Sequence, residues 1–131
     1  MQREVTALAF AALLQVGQFC LYSRLAIRQV GAKVALGPRD QIPALTGYAG
    51  RAQRAMQNNF EALILFIVAV VVVTLTDGAS SWLTATCAWT YVAARVLYVP
   101  AYLFAWVPGR SVVWAVGLIA TITMLGSALI S

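Results

Sequence analysis

Apolar residues run through this chain in long blocks rather than alternating with polar ones. The blocks fall at about residues 5–28, 48–76, 81–107 and 111–130, each near or above the ~20 residues that a helix needs to cross a bilayer. Turn-forming residues separate them. Residues 31–47 hold Gly37-Pro38-Arg39-Asp40 and Pro43, a polar loop. Asp77-Gly78-Ala79-Ser80 predicts a tight helix hairpin, with Gly78 as the stop and Ser80 as the next N-cap. Val107-Pro108-Gly109-Arg110-Ser111 predicts the last turn, with Ser111 capping the final helix. The first block follows Arg3 but lacks a small-x-small cleavage site, so it is expected to be a mature helix. The reading is an all-α membrane protein: a four-transmembrane-helix up-down bundle in one domain over residues 1–131, packed through small residues such as Ala93, Ala94, Gly117 and Gly126.

Composition supports that solvent. Hydrophobic residues make up 62% of the chain and charged residues 10%, with a mean hydropathy of +0.83; soluble chains hold about 25% charged residues. Too little polar surface exists to cover a water-soluble globule. The net charge of +5 points not to nucleic acid but to orientation. Arg24, Arg28, Lys33, Arg39, Arg51, Arg54 and Arg110 cluster at the first and third connections, against Arg3 alone on the other side. Both connections are therefore expected to face the cytoplasm and both termini to face away from it. The ending Ala128-Leu129-Ile130-Ser131 shows no retention signal, which favours a bacterial inner membrane over an endoplasmic reticulum. Histidine is absent, and Cys20 and Cys87 sit in apolar stretches as packing residues, so no metal site is expected.

Ionisable groups deep in a membrane segment usually face a partner or a cavity. Glu61 and Arg95 qualify. At about 1.5 Å per residue, Glu61 lies roughly 20 Å into the second segment and Arg95 roughly 18 Å into the third, measured from the same side. Matching depth on sequential antiparallel helices predicts a buried ion pair. Arg51, Arg54, Asn58 and Glu61 follow steps of three and four along one helical face, as do Arg95, Tyr98 and Tyr102 on the next helix. Arg110 stands at the rim. Two such stripes make a cleft that is cationic at its mouth and phenolic along one wall. Plainer readings stand beside this one: arginines as cytoplasmic anchors, Tyr102 as an interfacial aromatic, Asn58 as an interhelical donor, and Glu61–Arg95 as a structural pair. Pro100, between the tyrosines, is expected to kink its helix.

The run Arg51-Ala52-Gln53-Arg54-Ala55-Met56-Gln57-Asn58-Asn59-Phe60-Glu61 resembles the helix-two signature of the MAPEG family, the membrane-associated proteins of eicosanoid and glutathione metabolism. The pattern Arg-Ala-x-x-Asn-x-x-Glu is met by Arg54-Ala55, Asn58 and Glu61, with Arg51 three residues earlier. Arg95-x-x-Tyr98-x-x-x-Tyr102 and then Arg110-Ser111 resemble the second half of the family site. The resemblance implies a homotrimer with glutathione bound as co-substrate in a cytoplasm-facing cleft between subunits, and no metal. It implies glutathione-binding roles for Arg51, Arg54, Asn58, Glu61, Arg95, Tyr98, Tyr102 and Arg110. Among these, Arg110 and Tyr102 would be catalytic, with Arg110 stabilising the glutathione thiolate. A guanidinium near sulfur lowers a thiol pKa and raises the nucleophilic fraction. The expected activity is transfer of glutathione to a lipophilic electrophile, or reduction of a hydroperoxide. Two alternatives remain: a non-catalytic MAPEG-like membrane subunit, and a small proton-coupled exporter. The expected Glu61–Arg95 pair argues against the exporter by holding Glu61 ionised.

Overall fold

A computed structural model describes residues 2–35, 37, 45–76 and 82–130. Four long helices and one short one account for nearly all of them: α1 (Arg3–Val30), α2 (Ala32–Ala35), α3 (Gly47–Leu75), α4 (Trp82–Leu103) and α5 (Gly109–Ile130). The expected turn at Asp77-Gly78-Ala79-Ser80 and the loop residues Pro38, Arg39, Asp40 and Pro43 lie outside the described residues.

Side-chain contacts fix the relative directions. Gln15 meets Asn59 at mid-helix and Gln29 meets Thr46 at one end, so α1 and α3 are antiparallel. Arg51 reaches Leu103, Arg54 reaches Tyr102, and Asn59 receives Arg95, so α3 and α4 are antiparallel as well. Glu4 accepts from Thr84, which places the first turn of α1 beside the first turn of α4. The bundle thus alternates in direction along the chain.

Small residues form much of the inner surface. Ala7, Ala11, Ala69, Ala88 and Ala120 are buried beside Phe66, Val70, Val73 and Met124. Phe66 and Tyr91 stack at 4.0 Å between ring centres. Large apolar side chains instead point outward: Leu13, Val16, Ile64, Val68, Ile119 and Ile122 are all exposed. Within the most apolar windows of α1, α3 and α5, only 22–28% of residues are buried. A helix whose apolar side faces out needs an apolar solvent. These three helices are long and apolar enough to cross a membrane, and the protein is an integral multi-pass membrane protein. The 22-residue α4 packs against all three. Its threonines, tyrosines and Arg95 supply much of the interior polar chemistry.

Several boundaries differ from expectation. A short helix, α2, occupies part of the expected first loop. The third long helix stops at Leu103 rather than at 107. It runs through Pro100 unbroken and closes in a Schellman-type end: the N–H groups of Ala105 and Trp106 donate to the carbonyls of Tyr102 and Ala101, and Ala105 takes a φ of 53°. Val107 precedes a proline and is disfavoured in a helix. Ser111 does not cap α5; the helix opens at Gly109, and Ser111 donates its backbone N–H to the Pro108 carbonyl from inside it. Ala94 and Gly117 pack at the α4–α5 contact as expected, whereas Ala93 and Gly126 are exposed.

Candidate functional site

The polar groups of α3 and α4 meet along one seam. At its end, Arg51 donates to the Leu103 carbonyl at 3.2 Å, satisfying a terminal acceptor of α4, and lies 5.7 Å from the Tyr48 ring centre. One turn further in, Arg54 Nε donates to Tyr102 Oη at 3.2 Å. Arg110, from the first turn of α5, stands over the Tyr102 ring at 4.7 Å. Two guanidiniums therefore converge on one phenol ring. Tyr98 lies 5.6 Å from Tyr102, ring to ring, and Arg95 stands 4.3 Å over the Tyr98 ring. Asn58, Tyr98, Tyr102, Arg110, Ser111 and Trp114 line an open pocket of about 220 Å³.

Deeper, Arg95 is 1% exposed. Its Nε donates to Asn59 Oδ1 at 2.9 Å and a terminal nitrogen donates to Asn58 Oδ1 at 2.9 Å. Asn59 passes its own amide hydrogen to Gln15 Oε1, so a buried polar rod runs from α1 through α3 to α4. This corrects the expected ion pair. Glu61 is exposed and joins Arg95 in no ion pair; Asn58 and Asn59 serve the guanidinium instead. Glu61 lies three and two residues beyond those amides, where the helical rotation turns it outward. Glu61 nevertheless borders, with Asn58 and Arg95, a second cavity of about 160 Å³ between α3, α4 and α5.

Of the residues singled out by sequence, Arg54, Asn58, Arg95, Tyr98, Tyr102 and Arg110 form one continuous constellation. Arg51 adjoins it through its contact with Leu103, and Glu61 borders its deep end. Sequence reasoning missed Gln15, Asn59, Tyr91 and Trp114, and also Glu4. That carboxylate is fully buried and accepts from Thr84 Oγ1 at 2.9 Å. It lies in the first turns of α1 and beside that of α4, where both helix dipoles favour negative charge. A signal for the α1 residues exists: Glu4, Ala7, Ala11, Gln15 and Gln18 recur at steps of three and four, and all are buried.

Arg54, Arg95 and Arg110 flank Tyr98 and Tyr102, while the residues lining the mouth include no carboxylate. Such a pocket attracts an anion. Among the described residues, no three His, Cys, Asp or Glu side chains gather as metal ligands would.

No curated protein and no solved structure matches the chain. The sequence model of the MAPEG family does, over residues 7–130. That span includes both polar stripes and everything between them, so the chain belongs to the MAPEG family.

Proposed function

We propose that the protein is a glutathione-dependent membrane transferase or peroxidase, with the α3–α4–α5 seam as its glutathione site. The observation that carries this reading is the convergence of Arg54 and Arg110 on Tyr102, with Arg95 one step deeper along Tyr98. Glutathione brings two carboxylates and one ammonium. Arginines at the mouth complement the carboxylates, and Glu61 complements the ammonium. Arg110 stabilises the thiolate, Tyr102 holds Arg110 and Arg54 in place, and Asn58 offers its amide hydrogens because Arg95 occupies its oxygen. Transfer then proceeds by attack of the thiolate on an electrophile that enters from the bilayer, with no metal required. Glutathione is consumed as co-substrate.

Family membership supports glutathione or eicosanoid chemistry in a membrane. It also carries the weight against an exporter, because the Glu61–Arg95 pair that would have held the carboxylate ionised does not form. Self-association, which the proposed homotrimer requires, has physical support of its own. Glu61 and Gln57 are exposed on α3 beside Phe60, Ile64 and Leu65. A charge facing lipid near mid-span costs several kcal/mol, at least about 2.5 on insertion scales. A neighbouring copy covering that face removes the cost and places the cleft between subunits. In our reading α4 crosses as well, the third of four crossings in chain order, with both termini on the non-cytoplasmic side of a bacterial inner membrane; the alternating directions are consistent with this.

The test is binding and turnover together: the purified chain in detergent, titrated with glutathione, then assayed for conjugation to 1-chloro-2,4-dinitrobenzene and for reduction of cumene hydroperoxide. Saturable binding with either turnover supports the enzyme. Binding without turnover supports the non-catalytic subunit, and the absence of binding removes the enzyme.

A further inference from the structure

α1 contributes no lining residue to either cavity of the seam, yet one of its side chains is bonded to the seam through two others. Gln15, Asn59 and Arg95 are each nine-tenths or more buried and are joined in series. The guanidinium sets the direction of that series. Arg95 has hydrogens to give and no acceptor, so the Asn59 oxygen must face it and the Asn59 amide hydrogens must face away. There the Gln15 oxygen accepts one of them. At the other end, a terminal nitrogen of Arg95 takes the Asn58 oxygen. That leaves the Asn58 amide hydrogens for the pocket at the mouth, which Asn58 lines.

A plain packing role fits Gln15 poorly. Its own Nε2 is buried without a hydrogen-bond partner, which is unfavourable. Leucine in its place would remove that donor and leave the Asn59 amide hydrogens unpaired instead. The number of stranded amide groups stays the same, so little stability depends on the exchange. What changes is the orientation of Asn59, because a buried network holds each member only while its partners are present.

We propose, on the glutathione reading above, that Gln15 is a positioning residue: by fixing the Asn59 amide it holds Arg95, and through Arg95 it keeps the Asn58 amide hydrogens turned toward the mouth. Without the Gln15 oxygen, the Asn59 hydrogens turn to another acceptor and the Asn59 oxygen leaves Arg95 Nε. The guanidinium then no longer holds Asn58 in one orientation. Glutathione loses a preoriented donor and binds more weakly. Arg110 and Tyr102 are held by each other and by Arg54, so the chemistry at saturation is untouched.

The experiment is equilibrium dialysis of glutathione against the full chain in dodecyl maltoside, with kcat and KM for conjugation to 1-chloro-2,4-dinitrobenzene measured alongside. Gln15→Leu should weaken glutathione about three- to tenfold, the range of one hydrogen bond, while kcat stays within about twofold. Gln15→Glu offers an oxygen acceptor in either protonation state and should return affinity to within about twofold of native. Gln15→Met, unbranched like glutamine, takes the place of the leucine variant if that one does not fold. Gln18→Leu is the control: Gln18 lies one turn on along the same buried face of α1, and neither of its amide atoms has a hydrogen-bond partner. It should leave affinity unchanged. With Asn58→Ala already in place, Gln15→Leu should cost less than about twofold, because the group it orients is gone. Native affinity in the Gln15 variants, an equal loss in Gln18→Leu, no rescue by glutamate, or an undiminished loss beside Asn58→Ala overturns the role and leaves the glutathione site standing. A fall in kcat at unchanged KM overturns it as well. If the native chain binds no glutathione, the glutathione reading itself falls and the positioning role falls with it.

Discussion

Asn59→Ala is the substitution that most directly interrogates how the bundle is held. Asn59 is 2% exposed and stands between Gln15, 5% exposed, and Arg95, 1% exposed. Its removal strands the Arg95 Nε hydrogen and Gln15 Oε1 at once, in a place water does not reach. For a soluble protein, a hydrogen bond to a charged group contributes about 1.5–3 kcal/mol and a neutral one about 1 kcal/mol. Inside a membrane, measured pair couplings are smaller, averaging roughly 0.6 and reaching about 1.7 kcal/mol, because the unfolded chain in lipid also finds partners. Two stranded groups plus a small void then give a loss of roughly 2–4 kcal/mol. With Arg95→Met already in place, half of that penalty has no origin, and Asn59→Ala should cost about 1 kcal/mol less than in the native background. The assay is reversible unfolding in mixed dodecyl sulfate micelles, run as a four-variant cycle. A parallel cycle on Glu61→Gln and Arg95→Met should be additive within about 0.5 kcal/mol, since those side chains form no ion pair. Coupling in the second cycle and none in the first would refute the reasoning, and would mean that the guanidinium is neutralised by Glu61 after all.

Other outcomes follow from the mouth of the cleft. Arg110→Ala should leave glutathione affinity mostly intact and lower turnover about 10²–10³-fold, with matching loss of the ultraviolet thiolate band, as one charge-stabilising contact disappears; Arg54→Ala should instead raise the glutathione requirement more than it lowers saturated turnover. Tyr102→Phe keeps the ring beneath Arg110 and loses only the bond from Arg54, so turnover should fall less than about tenfold, whereas Tyr102→Leu removes the platform and should approach the Arg110→Ala value. Gly109→Ala would set a Cβ 2.3 Å from Trp106 Cδ2; the indole must move, and both a shift in tryptophan emission and reduced turnover are expected, with Trp106→Ala restoring the turnover.

The sequence disclosed depth more reliably than direction. Counting residues at a fixed helical rise set Arg54 and Tyr102 together near the mouth, and they meet; it set Arg95 level with Glu61, and the guanidinium is taken instead by Asn58 and Asn59, three and two residues away. What counting could not supply was rotation about the axis. Asn59 is one residue, about 100°, from the stripe of Arg51, Arg54, Asn58 and Glu61, yet it faces the bundle while Glu61 faces out. A charge in a membrane segment draws the eye toward another charge, and two amides proved to be the partners. The buried stripe of α1 was legible in principle, since in lipid it is the small and polar residues that turn inward. The early end of α4 was not, because Phe104-Ala105-Trp106-Val107 is as apolar as a helix interior and only Pro108 marks the bend.

The alanine-lined interior described above bears on how this chain can drift. In a water-soluble globule, enlarging an outer residue is cheap and shrinking an inner one is costly. Here the helices approach across Ala7, Ala11, Ala69, Ala88 and Ala120, which have nothing left to lose and no room to grow. Even a change from alanine to valine at these positions should push helices apart, while Leu13, Ile64 or Ile122 on the outer faces can interchange among themselves at little cost. Sequence variation among descendants of this protein should therefore be heavy in large aliphatic residues and nearly absent in the smallest ones, the reverse of the pattern by which a buried core is usually recognised.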